Sequence, residues 1–230
     1  MATTLTINER LSELRSKIEE AAKASGRSVQ DIALVAVVKA AKVEAIQEAA
    51  NSGLVLLGEN RVQEAELIIP QIINPNIQWH LVGHLQTNKV KQAVSLFGLI
   101  QSVDSVRLAA KINEEAVAQN KIMPVLLEIN ISGEAQKYGF KPEQIYGVLD
   151  EISTFQNLRV DGLMGIAPYL VDDSAKREAF KKLKSIFSAC KMVKSDNIQM
   201  KTLSMGMSDD YVLAIEEGSN MVRIGRALFK

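Results

Sequence analysis

The stretch at residues 33–42, "ALVAVVKAAK", runs six apolar residues straight into the charged amine of Lys39, and Lys42 follows three later. A short Val/Ala/Leu-rich run with no polar alternation reads as a strand buried on both faces, as in a parallel sheet covered by helices. Its abrupt end allows two meanings. Lys39 either anchors a strand end in solvent or presents its amine for chemistry, and the rest of the chain has to choose.

The pattern recurs through all 230 residues. Strand-like runs at 33–38, 54–58, 77–82, 99–102, 124–129, 158–164, 201–205 and 221–224 alternate with amphipathic segments, giving eight rounds. Ahead of them Ile7, Leu11, Leu14 and Ile18 draw one apolar stripe on a helix that ends near Gly26. The segment "SDDYVLAIEEG" (208–218) offers Ser208 as an N-cap, sets Asp209 and Asp210 at the positive end of a helix dipole and stops at Gly218. "KPEQIYGVLDEIS" (141–153) has Pro142 in its first turn, where a missing N–H costs nothing. No Pro/Gly/Ser-rich linker interrupts the series, so residues 1–230 are expected to form a single domain. Eight βα units in this length fit an α/β fold of the (β/α)8 TIM-barrel type with an extra N-terminal helix. The competing doubly wound sheet lacks its glycine fingerprint after the first strand.

Composition narrows the partners. With 27 basic and 27 acidic side chains the net charge is zero, so no global field draws nucleic acid or an anionic membrane. Hydrophobic residues make up 47% of the chain, yet no run nears the ~20 apolar residues of a membrane span. The opening "MATTLTINERLSELRSKIEE" lacks a secretory signal pattern, and there is one cysteine, Cys190; a cytoplasmic protein is expected.

In a barrel, Lys39 stands at the carboxyl end of the first strand, the face that carries the chemistry. Apolar neighbours there should strip hydration from the ammonium and favour the neutral, nucleophilic amine. Lys42 falls in the first turn of the next helix and is expected to be solvated. Glu59, Asn60 and Arg61 follow the second strand, His80, His84 and Asn88 surround the third, and "QSVDS" follows the fourth. A four-residue separation in a strand spans roughly 13 Å, too far for His80 and His84 to share a metal, so each reads as a hydrogen-bonded or pocket-lining group. No metal site is expected. Near the C-terminus, "TLSMGMSDD" (202–210) and "NMVRIGRALF" (220–229) combine strand ends, hydroxyls, glycines and arginines where barrels bind phosphate. An amine opposite a phosphate cradle suggests pyridoxal 5′-phosphate, which carries an aldehyde at one end and a phosphate at the other.

The blocks "LVAVVK", "LGENRVQE", "WHLVGHLQTNK", "QSVDS", "EINISGEAQKYGF", "GLMGIAP" and "LSMGMSDDYVLAIEEGSNMVRIGRALF" resemble, in order and spacing, the pyridoxal phosphate homeostasis proteins, the YggS or PROSC family. The resemblance implies a barrel of the alanine racemase N-terminal domain type. It further implies a non-catalytic protein, without established turnover, that serves vitamin B6 and amino-acid homeostasis. Carried over by motif, Lys39 holds pyridoxal phosphate as a Schiff base, Asn60 lines the cofactor and Arg223 approaches the pyridine nitrogen. A guanidinium accepts no proton, so that nitrogen stays unprotonated. Ser204, Ser208, Gly225 and Arg226 hold the phosphate, while Met205 and Met207 fill the space under the ring. The chain departs from the family at Val38 and Ala40, where a motif close to "VSKTK" is usual, and at Lys230, which replaces a glycine and raises the expectation of a short further tail.

The alternatives are a pyridoxal-phosphate-dependent racemase or decarboxylase on the same barrel and a cofactor-free Schiff-base aldolase. Two-base racemisation calls for a second base from a further domain, for which the chain is expected to have no room. Expected partners are pyridoxal phosphate and, beyond it, apo-enzymes or regulatory proteins, with a monomeric chain. The segment 175–194 carries seven basic residues against Glu178, and its apolar positions Phe180, Leu183, Phe187 and Cys190 read as a core face. A solvated basic face is therefore favoured over a nucleic-acid patch.

Overall fold

Eight short strands organise the computed structural model, which describes residues 5–134, 136–169 and 171–230. They are β1 (Ala33–Val37), β2 (Leu56–Glu59), β3 (Gln78–Leu81), β4 (Leu99–Val103), β5 (Met123–Ile129), β6 (Leu158–Gly165), β7 (Ile198–Ser204) and β8 (Met221–Ile224). Each pairs parallel with the next, and β8 returns to β1 with Val35 opposite Arg223 and Ala36 opposite Ile224, closing the barrel. The expected α/β barrel is the one observed. The β8 bounds match the sequence reading and the other strands shift by one to three residues: β2 starts at Leu56 and runs through Glu59, which pairs with Leu81, and β7 starts three residues before Lys201.

Helices α2 (Val43–Asn51), α3 (Val62–Ile68), α4 (Val90–Leu96), α5 (Val106–Ala118), α6 (Ile145–Ile152), α7 (Asp173–Cys190), α8 (Tyr211–Glu216) and α9 (Arg226–Phe229) follow the strands in turn. The last is a single turn and covers little of the sheet. The N-terminal helix α1 (Ile7–Ala24) makes up the deficit: Leu14, Ile18, Ala21 and Ala22 pack on Tyr211 and Ile215 of α8 and on Val222 and Ile224 of β8. A capping box between Thr6 and Glu9 opens α1, and Arg27 beyond it donates to the carbonyls of Ser219 and Ile215, tying its end to α8.

Side chains alternate across every strand, and this divides the apolar residues into two layers. Leu57, Leu81, Leu127, Leu163 and Leu203 face the helices, where Trp79 and Cys190 are also packed. Burial pushes the Cys190 thiol up to about 11, so it behaves as a small hydrophobe. Of the basic residues on α7, Lys176, Arg177 and Lys181 pair with Asp173, with Glu216 and Glu217, and with Glu178, while the Lys184 and Lys191 amines lie over the Phe187 ring. The other layer, inside the barrel, holds Val35, Leu99, Leu126, Met164 and Met221. Between β5, β6 and β7 the register slips, and Gly162 sits at φ +156° with its Cα against the Thr202 backbone, where any Cβ would overlap the carbonyl.

A polar chain also crosses the interior. Buried Arg223 donates to the Ser204 hydroxyl (2.6 Å), Ser204 donates to Gln101 Oε1 (2.7 Å), and the Gln101 amide stands 3.1 Å from His80 Nδ1. A guanidinium can only donate, so the direction of the whole chain follows from Arg223, and His80 Nδ1 is the acceptor at its end. Burial pushes His80 down to about 4, which keeps the ring neutral in the folded protein.

Because the unfolded chain protonates His80 near 6.5, acidification from there to about 4 should progressively destabilise the fold, by about 3 kcal/mol in total. Glu128, pushed up to about 7 by burial, works in the opposite sense over an overlapping range, so the wild-type curve alone conceals the effect. Denaturant unfolding of wild type and His80→Gln at fixed pH values isolates it. The stability difference between the two should move in favour of the variant as pH falls from 6.5 to 4.

Candidate cofactor site at the barrel mouth

The carboxyl ends of the strands open onto a cleft of about 480 Å³, within the range of small-molecule sites. It is reached from β1 by Val37 and Lys39, from β2 by Asn60, from β5 by Glu128, from the loop after β7 by Met207 and Ser208, and from β8 by Arg223, Gly225 and Arg226. A second cleft of about 580 Å³ adjoins it and shares Lys39, Asn60, Gly225 and Arg226. Six of the eight expected site residues thus meet at one mouth. Lys39 and Arg223 come from opposite ends of the chain and are neighbours because β1 pairs with β8.

Three expectations are corrected here. Lys39 is an exposed residue, where apolar surroundings were expected. Strand alternation turns Val38 outward into the helix-facing core, and the chain bends at once, with Ala41 N–H donating to the Val38 carbonyl (2.8 Å) and Ala40 in the left-handed region at φ +60°. Ser204 does not line the mouth: its hydroxyl is fully buried between Gln101 and Arg223. Met205 is packed in the helix-facing core, again by alternation, whereas Met207 is 38% exposed at the mouth.

The loop after β7 also differs from the sequence reading. The helix cap is Asp210, not Ser208, and Asp210 Oδ1 accepts from Met207 N–H (2.6 Å). This leaves Ser208 two residues earlier, where its oxygen accepts a 3.3 Å bond from Ala227 N–H and joins the β7 loop to the turn after β8. Asp209 pairs with Arg226 instead of facing the helix dipole. Gly206, at φ +94°, lies so close to Tyr211 and Ala214 that a Cβ would contact Ala214 Cβ at 2.6 Å. Gly225 passes Val37 O, which a Cβ would meet at 3.1 Å. The two glycines let the β7 loop pack on α8 and the end of β8 pass close to β1.

Arg223 and Glu128 set the electrostatics. Burial pushes the Arg223 guanidinium down to about 10, against the pull of Glu128 and Asp210, so it stays charged at neutral pH. Its second terminal nitrogen donates to Gly165 O (3.0 Å). For Glu128, burial outweighs the attraction of Arg223 and Asp104 adds repulsion, which holds its carboxyl at about 7.

Sequence reasoning missed Glu128, Tyr138 and Tyr169 at this mouth. Tyr138 arrives on the loop after β5, where Asn130 Nδ2 donates to the carbonyls of Glu134 and Lys137 and Phe140 N–H returns to Glu128 O (2.8 Å). The two histidines part company as expected. His80 is bonded inside the barrel, and His84 lines the mouth, its Nδ1 3.0 Å from Asp104 Oδ2 and its ring stacked on Tyr138 at 3.7 Å.

Residues 10–230 match the family model of the alanine racemase N-terminal domain. A pyridoxal phosphate homeostasis protein from Aquifex aeolicus is 38% identical over 96% of this chain and 96% of its own length. Another from Pseudomonas aeruginosa is 36% identical over 97% and 95%. The structure of PipY from Synechococcus elongatus with pyridoxal phosphate bound superposes with a TM-score of 0.85 at 32% identity, covering 98% of this chain and all of that one. An alanine racemase from Clostridium difficile shares the fold at 16% identity (TM-score 0.68), with 93% of this chain matched to 53% of the racemase. With the barrel, the mouth and these full-length likenesses in agreement, the chain belongs to the pyridoxal phosphate homeostasis protein family.

Proposed function

We propose that the protein is a non-catalytic carrier of pyridoxal 5′-phosphate in vitamin B6 and amino-acid homeostasis, holding the cofactor as a Schiff base on Lys39. The observation that carries this reading is barrel closure, which brings the Lys39 amine into one cleft with Arg223, Ser208, Gly225 and Arg226. The residues fit the group: a primary amine for the aldehyde, a buried cation for the ring, and a hydroxyl, a glycine backbone and an exposed arginine for the phosphate. When bound, the cofactor supplies an electrophilic carbonyl carbon to amines.

The chain's own groups favour holding over turnover. Arg223 is buried, charged and without acceptor capacity, so a pyridine nitrogen beside it gains no proton and the ring is a weak electron sink. Ser204 serves the site indirectly: with Gly165 O it fixes the guanidinium, since two of the five N–H groups of Arg223 are taken and three remain. Ser208 and the backbone N–H groups at Gly225 and Arg226 serve the phosphate, Asn60 lines the cofactor edge, and Met205 supports the β7 end from the core. The exposed Lys39 leaves the linkage open to incoming amines, as a donor to apo-enzymes requires. A monomer working in the cytoplasm completes the reading; among the described residues no helix is long and apolar enough to cross a membrane.

Purified protein incubated with pyridoxal phosphate should show a visible absorption band that borohydride fixes as a mass increase on the Lys39 peptide. Lys39→Ala should abolish both; a band that survives in the variant would remove Lys39 from the account. Loaded protein mixed with the apo-form of a pyridoxal-phosphate-dependent enzyme should restore that enzyme's activity. Failure of transfer, with loading intact, would leave storage and exclude donation.

A further inference from the structure

The mouth holds an acid–base pair that carrying a cofactor does not by itself require. His84 Nδ1 lies 3.0 Å from Asp104 Oδ2, and Asp104 is 11% exposed, which makes this a semi-enclosed carboxylate–imidazole pair and not a solvated contact. The ring is clamped on its flat side by Tyr138, with centroids 3.7 Å apart and planes 12° from parallel. Three strand ends cooperate to fix it. The backbone at Gly83 passes so close to Asn60 that a Cβ would overlap it, and the Gly83 carbonyl accepts from Ser102 Oγ (2.6 Å). With a carboxylate at Nδ1, the proton of the neutral ring belongs on Nδ1, and Nε2 is left with its lone pair. His84 lines the same cleft as Lys39.

From this geometry we infer that His84, oriented by Asp104 and Tyr138, is the general acid–base residue for exchange of the cofactor between Lys39 and an incoming primary amine. The inference rests on the carrier reading above and adds the group that moves the proton. An amine arrives at neutral pH as an ammonium and cannot attack until it loses a proton. His84 Nε2 takes that proton. The freed nitrogen would then bond to the carbon that Lys39 holds as Lys39 Nζ gives up its own bond to it. One proton would pass from the incoming nitrogen to Lys39 and His84 would return the other, so that Lys39 leaves as an ammonium and the new linkage keeps the single proton of the old one. One carbon–nitrogen linkage forms, one breaks, the proton count is unchanged, and no oxidant or reductant takes part.

Other ionisable groups face this ring from each neighbouring element. Arg61 and Glu64 stand at the β2 side, Lys89 on its own loop, Arg107 beside Asp104, and Glu128 on β5. Arg61 and Glu64 are engaged with each other at 3.4 Å, and Glu128 is buried beside Arg223. Arg226, paired with Asp209, cannot act as a base, and among the described residues of this cleft His84 is the imidazole that is paired with a carboxylate.

Two measurements test the assignment. In cofactor-free protein, nitrogen NMR of the ring should find the neutral His84 protonated at Nδ1; the chain has only two histidines, so the His84→Gln spectrum assigns the signal. The Nε2-protonated form would overturn the proposal. In loaded protein, release of the cofactor to added ethanolamine, expressed per loaded site, should slow at least tenfold in His84→Gln. Added imidazole should restore much of the lost rate, which a purely structural role would not permit. Asp104→Asn should give a smaller slowing. An unchanged release rate in His84→Gln, or slowing that imidazole does not relieve, contradicts the assignment. Wild-type protein that never loads contradicts the carrier reading instead.

Discussion

Everything at the mouth depends on hydrogen bonding between the first and last strands. β1 and β8 are adjacent only because the sheet closes, and their register sets Val35 against Arg223 and Ala36 against Ile224. Just past that register stand Lys39, three residues beyond Ala36, and Gly225 and Arg226, one and two residues beyond Ile224. An open doubly wound sheet built from the same segments would not bring these ends together. Closure therefore does more than remove sheet edges: it creates the site by joining residues that no local sequence signal links. The N-terminal helix belongs to the same device, since it seals the outer face of β8 that the one-turn α9 leaves uncovered.

The second constraint is a buried cation. Desolvating a guanidinium is costly unless its donors are met, and here Ser204 and Gly165 O meet two of them while Glu128 and Asp210 supply opposite charge. The arrangement spends a core position on charge and fixes the direction of hydrogen bonding as far as His80. A buried Arg223 that stays charged at neutral pH and lines the cleft suits the proposed holding of an electrophile without activating it.

Much of the architecture was legible in the sequence because buried parallel strands leave short apolar runs, and these begin and end at Gly, Pro, charged or capping residues. The β1 run is the plainest case. Where legibility failed, the cause was tertiary. Glu59 reads as loop, yet its carboxylate accepts from its neighbour Asn60 N–H (2.8 Å) and it stays in the strand. Ser208 and Asp210 can both cap a helix, but the loop after β7 runs on to Asp210, whose side chain turns back to Met207 N–H, before the helix begins. Motif matching put Ser204 on the phosphate, but Gln101, distant in sequence, claims its hydroxyl. Lys39 stands exposed where the chain turns just beyond β1, a bend at Ala40 that the apolar run does not announce. Glu128, Tyr138 and the His84–Asp104 pair have no local signature at all, because three different loops must fold before they meet.

The central claim is that one small molecule spans from the Lys39 amine to the loops after β7 and β8, with its ring nitrogen toward Arg223. A crystal structure of the protein grown with pyridoxal 5′-phosphate tests this directly. The account predicts density continuous with Lys39 Nζ, a phosphate among Ser208, Gly225 and Arg226, and a guanidinium nitrogen within hydrogen-bond distance of the pyridine nitrogen. A cofactor joined to another lysine, or one attached to Lys39 with its phosphate away from those loops, would contradict it.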